Sequence, residues 1–414
     1  MGTTEDPAGH LDGARIAARL EALWAIAQAP GGGADRAAYS PEEAAGMRLV
    51  AEWCTDAGLA AALDAHGNLW ALPEGDGPVA TSGSHVDTVP AGGRYDGALG
   101  TVLALEAVAA LGDRAGVLVC AAEEAPRFSA GTIGSRLMTG ALPESALADL
   151  HDARGVSAAD ARDRFLAELD DLPRVEGAGR AGPLQRIRAH LEVHIEPRHE
   201  LRRRGVDLGV VERIGAPHRH ELVVEGEAGH AGEVAMGERH DALAAAAEIV
   251  LALERAARET ALRSPATVAT VGRLDVEPGA VSVIPGRVRA MLEVRGIDAA
   301  AIAAVEGALE AAAADVAERR GVLVTRRLLR GGDPIALDPG LVQRALDAAA
   351  ARGTNAVRTY SGAGHDAGHL AAHVPAGLLF VPLSGGQSHT PQEAADDSDV
   401  LAAARVLVDV LAGD

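Results

Sequence analysis

The sequence predicts an α/β protein in which a larger layered domain is interrupted by a compact ferredoxin-like α+β insertion. Three observations predict it. Helix and strand patterns alternate through the first third of the 414-residue chain, as layered α/β folds require. From about residue 220 the order becomes β-α-β-β-α-β, that of a split ferredoxin-like unit. After Gly331 the alternation resumes. The expected boundaries are therefore 1–213 and 329–414 for the layered domain and 214–328 for the insertion.

Helical periodicity runs over 12–28 and again over 41–57, the second with Ser40 as its cap. Apolar runs at 68–72 and 79–84 read as strands, 97–111 as a helix and 116–122 as a buried strand. Residues 135–172 read as helices and 189–195 as a strand. In the insertion, strands are expected over 221–225, 267–274, 287–295 and 321–328, with helices over 240–260 and 299–319. A helix over 339–352, an apolar strand over 376–381 and a helix over 398–411 end the chain.

Composition narrows the function. At 48% hydrophobic and 23% charged residues the chain can bury a full core and is not disordered. No stretch approaches the roughly 18 apolar residues of a membrane span, and the acidic, polar start is unlike a secretory signal. With only Cys54 and Cys120, a reducing cytoplasm is expected. A net charge of −21 disfavours nucleic acid and anionic membranes, and 2% aromatics leave no stacking platform for bases or glycans.

The chemistry gathers at strand ends. His85 and Asp87 follow the run 79–84, where open α/β sheets place their sites. Imidazole is a common metal ligand, and Asp87 can fix its tautomer. Asp96 sits in a glycine-dense turn. Glu123 and Glu124 follow a buried strand, and adjacent carboxylates there are costly unless a cation or shared proton compensates. His194 and His389 end two further segments. His85, Asp96, Glu124, His194 and His389 suffice for two metals sharing a carboxylate, and their N and O donors suit zinc, manganese, cobalt or nickel. His230 lies in a turn of the insertion, and His365 in a loop expected to line the site. His218, His220, His240 and His369 read as solvated or structural.

The string Gly83-Ser84-His85-Val86-Asp87-Thr88-Val89-Pro90 through Asp96-Gly97-Ala98-Leu99-Gly100 resembles the N-carbamoyl-L-amino-acid hydrolases, with the related allantoate amidohydrolases and β-ureidopropionases. The resemblance covers about residues 12–411 and includes Glu123-Glu124-Ala125-Pro126-Arg127-Phe128, Gly229-His230-Ala231-Gly232 and Ser388-His389-Thr390-Pro391-Gln392-Glu393. It implies a di-zinc aminopeptidase-like catalytic domain with an inserted lid and dimerisation domain, and hence a homodimer acting on a small-molecule substrate. It implies that His85, Asp96 and His194 hold one ion, and Asp96, Glu124 and His389 the other. Glu123 would be the general base and His230, often from a partner subunit, the oxyanion stabiliser. Arg295 would clamp a substrate carboxylate. Two positions depart from the pattern. Pro197 and Arg198 stand where the family has Gln-Gly, and Ser282 stands where it has Asn before Val-Ile-Pro. Both lost amides belong to the family's substrate-reading set, so an altered substrate is expected, with Arg198 as an added cation if it points inward. An N-acyl amide or another specialised amide is the alternative within the class. A metal-binding scaffold without turnover is the alternative outside it, and Glu123 argues against that one.

Overall fold

The computed structural model describes residues 6–175 and 183–413, so the first five residues of the acidic N-terminal stretch lie outside it. The chain divides into two units. The first comprises 1–212, 336–359 and 364–414, and the second 213–335 and 360–363.

In the first unit four apolar runs form the centre of a sheet. Strands Val79–Ser82, Ala115–Val119, Ile187–Glu196 and Ala376–Gly385 are buried along nearly their whole length, the pattern of strands covered on both faces. Their order is Ala115–Val119, Val79–Ser82, Ile187–Glu196, Ala376–Gly385, and every neighbouring pair is parallel. Antiparallel strands flank them: Leu69–Leu72 and Ala60–Leu63 on one side, Leu208–Ile214 on the other. Because the central strands run the same way, their C-terminal ends share one edge of the sheet.

Apart from Thr101 and the ion-paired Glu106, helix Ala98–Leu111 is apolar on every side and buried over almost all its length, as its run of Ala, Leu and Val demands. It packs on Ala115–Val119 and Ile187–Glu196 and beneath helices Gly13–Trp24 and Asp397–Ala412. Close contact requires Gly100, where a Cβ would lie 2.1 Å from the Val193 carbonyl oxygen. Ser40 caps helix Pro41–Asp56, with proline at its first position.

The expected strand over 116–122 ends at Val119, and that over 79–84 at Ser82. Beyond them one parallel bridge, His85 with Cys120, continues the ladder before the chain turns toward the site. Within 135–172, helix is confined to Ile133–Met138 and Ala158–Glu168, with the short 3-10 segment Glu144–Ala148 between them. Pro143 and Gly140 interrupt the pattern there.

The second unit carries an antiparallel sheet in the order Leu323–Arg330, Ala216–Glu225, Arg287–Gly296, Val268–Glu277. Helices Ala242–Ala261 and Ala299–Arg320 pack on each other around a core that includes Leu222, Val224, Ile249, Val294, Ile302 and Leu309. Asp241 and Asp298 cap the two helices, and Gly321 ends the second in the left-handed conformation at φ 61°.

Candidate metal centre

Each central strand of the first unit delivers a candidate ligand at or beyond its C-terminal end. His85 follows Val79–Ser82, Glu123 and Glu124 follow Ala115–Val119, His194 lies near the end of Ile187–Glu196, and His389 follows Ala376–Gly385. Asp96 precedes helix Ala98–Leu111. Gly97 between them has φ 64°, and a Cβ there would collide with the His85 ring at 2.4 Å.

The ligand atoms of His85, Asp96 and His194 lie within 4.8 Å of one another, as do those of Asp96, Glu124 and His389. Asp96 belongs to both groups. Its Oδ1 is 2.9 Å from His194 Nε2 and 3.8 Å from His85 Nε2. Its Oδ2 is 3.0 Å from His389 Nε2, which is 3.7 Å from Glu124 Oε1.

The rings are oriented from behind. His85 Nδ1 lies 3.0 Å from the Asp87 carbonyl and 3.4 Å from its carboxylate, and His194 Nδ1 lies 3.1 Å from the Ile195 carbonyl. A carbonyl only accepts, so both rings carry a proton on Nδ1 and, when neutral, present a lone pair at Nε2. At His194 that lone pair meets a carboxylate oxygen at 2.9 Å, a repulsive contact unless positive charge lies between. His85 Nε2 is buried without a hydrogen-bond partner, with carboxylate oxygens of Asp96 and Glu123 at 3.8 and 3.9 Å. Those separations are too long for hydrogen bonds. They suit a cation placed about 2 Å from each ligand atom.

The electrostatics agree. Burial, with Glu124 and Asp366 adding to it, raises the Glu123 carboxyl well above the usual carboxylate range. Burial and then Asp96 push both Glu124 and Glu393 up to about 7. An excess of buried carboxylates is what divalent cations would offset.

Backbone anchoring fixes the loop that carries Glu123. Four consecutive N–H groups donate to buried side chains: Ala121 to Asn68 Oδ1 at 3.0 Å, Ala122 to Glu43 Oε1 at 2.8 Å, Glu123 to Asp87 Oδ1 at 3.1 Å and Glu124 to Asp87 Oδ2 at 2.9 Å. The other Glu43 oxygen accepts the Tyr39 N–H. Glu393 does the same for the Asp96 turn, accepting from Tyr95 N at 2.7 Å and Asp96 N at 3.0 Å. Sequence reasoning does not single out either glutamate. Glu43 sits in the first turn of its helix with its N–H held by Ser40 Oγ at 3.1 Å, an ordinary place for a glutamate that conceals its second use. Glu393 has one visible signal, its place at the end of the string begun by Ser388-His389.

His365 is buried with its ring edge-on to His194, centroids 4.7 Å apart, and burial followed by His194 holds its pKa well below the usual value. It packs behind a candidate ligand. Arg198 is tied locally, to Glu200 at 2.9 Å and Thr359 Oγ1 at 3.0 Å, and Pro197 beside it is half-buried. In the second unit His230 is exposed, and its Nδ1 accepts the Gly232 N–H at 3.1 Å. Neutral His230 therefore carries its proton on Nε2. Ser282 is its neighbour: the Ser282 carbonyl accepts from Ala231 N at 2.9 Å, and Val283 pairs in register with His230. Arg295 donates to Glu293 at 2.9 Å and to the Gly362 carbonyl at 2.6 Å.

Parallel strand ends that gather two overlapping His, Asp and Glu groups, beside a half-buried glutamate outside both, define a class: the metal-dependent hydrolases. Residues 81–413 match peptidase family M20/M25/M40, and the chain belongs to that family. It is 35% identical over 407 residues to an N-carbamoyl-L-amino acid amidohydrolase of Geobacillus stearothermophilus, covering 96% of this chain and 97% of that protein. It is 33% identical over 409 residues to a ureidoglycolate hydrolase of Arabidopsis thaliana, covering 94% and 84%. Among solved structures, a hydantoinase/carbamoylase family amidase from Burkholderia ambifaria is similar with a TM-score of 0.83, at 33% identity over 98% of this chain and 97% of that one.

Proposed function

We propose that this amidohydrolase cleaves a carbamoyl, ureido or related non-peptide C–N bond in a small carboxylate-bearing substrate. It would use two divalent ions, one for each ligand group, with zinc first and manganese, cobalt or nickel also suited. The observation that carries the reading is the disposition of Asp96. One of its oxygens faces His85 and His194, the other His389, as a carboxylate shared by two ions does. His85, Asp96 and His194 would hold one ion, and Asp96, Glu124 and His389 the other. Bound there, the ions would supply Lewis acidity, polarising the scissile carbonyl and acidifying the attacking water.

Glu123 stands outside both ligand groups, and burial raises its carboxyl, the direction a general base requires. It takes the proton of the attacking water and returns it to the leaving nitrogen. His230, with its proton on Nε2, is in the donor form that stabilises a developing oxyanion, from the same chain or from a partner. Arg295 meets the substrate carboxylate. With its two cysteines buried and free, the protein is read as a cytoplasmic homodimer formed through the second unit.

The test is metal analysis joined to mutagenesis. Chelation should abolish activity. Glu123→Gln should keep its metals and lose turnover by several powers of ten, because it removes base chemistry and no ligand. A Glu123→Gln enzyme with near wild-type turnover would overturn the assignment.

Specificity follows from positions 197 and 282. Proline has no side-chain donor, and serine is shorter than asparagine, so polar groups read by the family's two amides go unmet. Each loss is on the order of 1–3 kcal/mol. Simple N-carbamoyl amino acids should therefore be poor substrates, improved by the double change Pro197→Gln, Ser282→Asn. Steady-state comparison of N-carbamoyl-alanine, N-carbamoyl-methionine, allantoate and N-acetyl amino acids checks this. A wild-type kcat/KM of about 10⁴ M⁻¹s⁻¹ or more on the carbamoyl substrates would sink it.

A further inference from the structure

The second unit contains a third convergence of ligand atoms, from His218, His220 and Glu306, again within 4.8 Å of one another. His218 and His220 lie two residues apart on strand Ala216–Glu225, so they share a face. That face continues into Leu222 and Val224, buried in the unit's core. Glu306 projects from helix Ala299–Arg320 beside Val305, which is buried in the same core. The cluster thus closes one end of that core, with His220 only 3% exposed.

Its hydrogen-bond accounting does not close with two neutral imidazoles and an ionised carboxylate. His218 Nε2 lies 3.0 Å from the Gly332 carbonyl, which can only accept, so the ring proton sits on Nε2. His218 Nδ1 then points a lone pair at Glu306 Oε1, 2.9 Å away. His220 Nε2 reaches the same oxygen at 2.7 Å, while His220 Nδ1 is buried with no hydrogen-bond partner. Two imidazole nitrogens and one carboxylate oxygen therefore crowd one point, and positive charge is required there. Arg326, a nearby cation, is 3.3 Å from Glu310. A backbone carbonyl behind an imidazole, fixing the proton on the far nitrogen, is the support that metal-bound histidines ordinarily receive. His194 and Ile195 show the same arrangement in the first unit.

We propose that His218 Nδ1, His220 Nε2 and the Glu306 carboxylate form a further metal site, taking a zinc-like divalent transition ion. Two imidazoles and a carboxylate are a donor set for such ions, with water completing the coordination. Tetrahedral ligand atoms about 2.0–2.1 Å from zinc stand roughly 3.3 Å apart. The present contacts would thus open by about half an ångström, a small turn of the partly exposed Glu306 side chain. The ion ties the unit's first strand to its second helix, so its role is structural. It leaves the chemistry of the first unit unchanged.

The experiment uses full-length protein, stripped with chelator and dialysed against zinc or cobalt. Metal content and the visible absorption of bound Co²⁺ are read for five proteins: wild type, His218→Ala/His220→Ala, the near-isosteric Glu306→Gln, His85→Ala/His389→Ala, and His85→Ala/His389→Ala with Glu306→Gln added. The first two variants should each hold about one ion fewer than wild type and keep wild-type kcat/KM. The His85→Ala/His389→Ala protein should still hold one ion, lost when Glu306→Gln is added. That arm makes the result independent of the reading of the first unit's site. Equal metal content in wild type, the His218→Ala/His220→Ala variant and Glu306→Gln overturns the proposal and leaves an imidazolium–carboxylate pair. Should the double histidine variant fail to fold, the Glu306→Gln comparison decides alone.

Discussion

Glu43 lies outside both ligand groups of the first unit, yet its carboxylate holds the N–H of the residue directly before Glu123. Burial drives this carboxyl up, the neighbouring Asp87 adds to that, and the two N–H donors pull it back. Glu43→Gln keeps the shape but places an amide NH₂ where a donor already points. We expect a stability loss of about 1–3 kcal/mol and a lower kcat at undiminished metal content, read by urea unfolding, steady-state kinetics and metal analysis. Unchanged kcat would show that the loop holds its position without Glu43. At this scale the sequence reveals some roles and hides others. His85, Glu124, His194 and His389 are visible because His and Glu recur at successive strand ends, and Asp96 because it stands in a glycine-dense turn. Glu43, Glu393 and Asn68 act on backbone N–H groups, and a backbone contact leaves no pattern in the sequence. His218 and His220 read as solvated or structural for a different reason: the side chain they share, Glu306, lies 86 positions beyond His220.

At the scale of elements, the seating of helix Ala98–Leu111 on strand Ile187–Glu196 depends on one missing methyl. Gly100→Ala would drive a Cβ toward the Val193 carbonyl and the Ser84 Cβ, at 2.1 and 2.8 Å. Because the obstacle is backbone, the helix must shift, and overpacking of this kind costs about 1–3 kcal/mol. The expected result is a lower urea midpoint with an unchanged m-value; an unaltered midpoint would mean the helix seats with slack. Long periodic helices with caps are legible to within a few residues, and Pro339–Arg352 behind Asp338 to the residue. Short or mixed strands are not. Ala60–Leu63 is four residues of alanine and leucine, a composition that favours helix. Leu208–Ile214 runs almost directly into Ala216–Glu225, and Glu212, Arg213, His218, Arg219 and His220 break the apolar pattern, so two strands that belong to different sheets go unmarked.

For the whole molecule, ions bound only by the folded chain should appear as stability. Saturation a thousandfold above the dissociation constant contributes about 4 kcal/mol for one site, so chelation should lower the thermal midpoint by several degrees. A midpoint indifferent to chelator and to added zinc would count against metal in both units. The second unit's sheet has two edges, Leu323–Arg330 and Val268–Glu277. Val268, Leu274, Leu323 and Leu328 are exposed on them, apolar side chains on unpaired edges that a partner copy would cover. Sedimentation at micromolar concentration should give a dimer, and Val268→Glu together with Leu274→Glu should shift it toward monomer.

Strand order also has a consequence for synthesis. The ribosome delivers the chain in one direction, and Ala376–Gly385 belongs between Ile187–Glu196 and Leu208–Ile214. Both of those strands therefore wait, each lacking its shared neighbour, until residue 385 has emerged. Most of the second unit is one continuous stretch, 213–335, and its sheet and helices can be complete well before then. A nascent chain thus passes through a stage in which one unit is finished while the other exposes two bare strand edges. That is the interval in which a chaperone has most to protect.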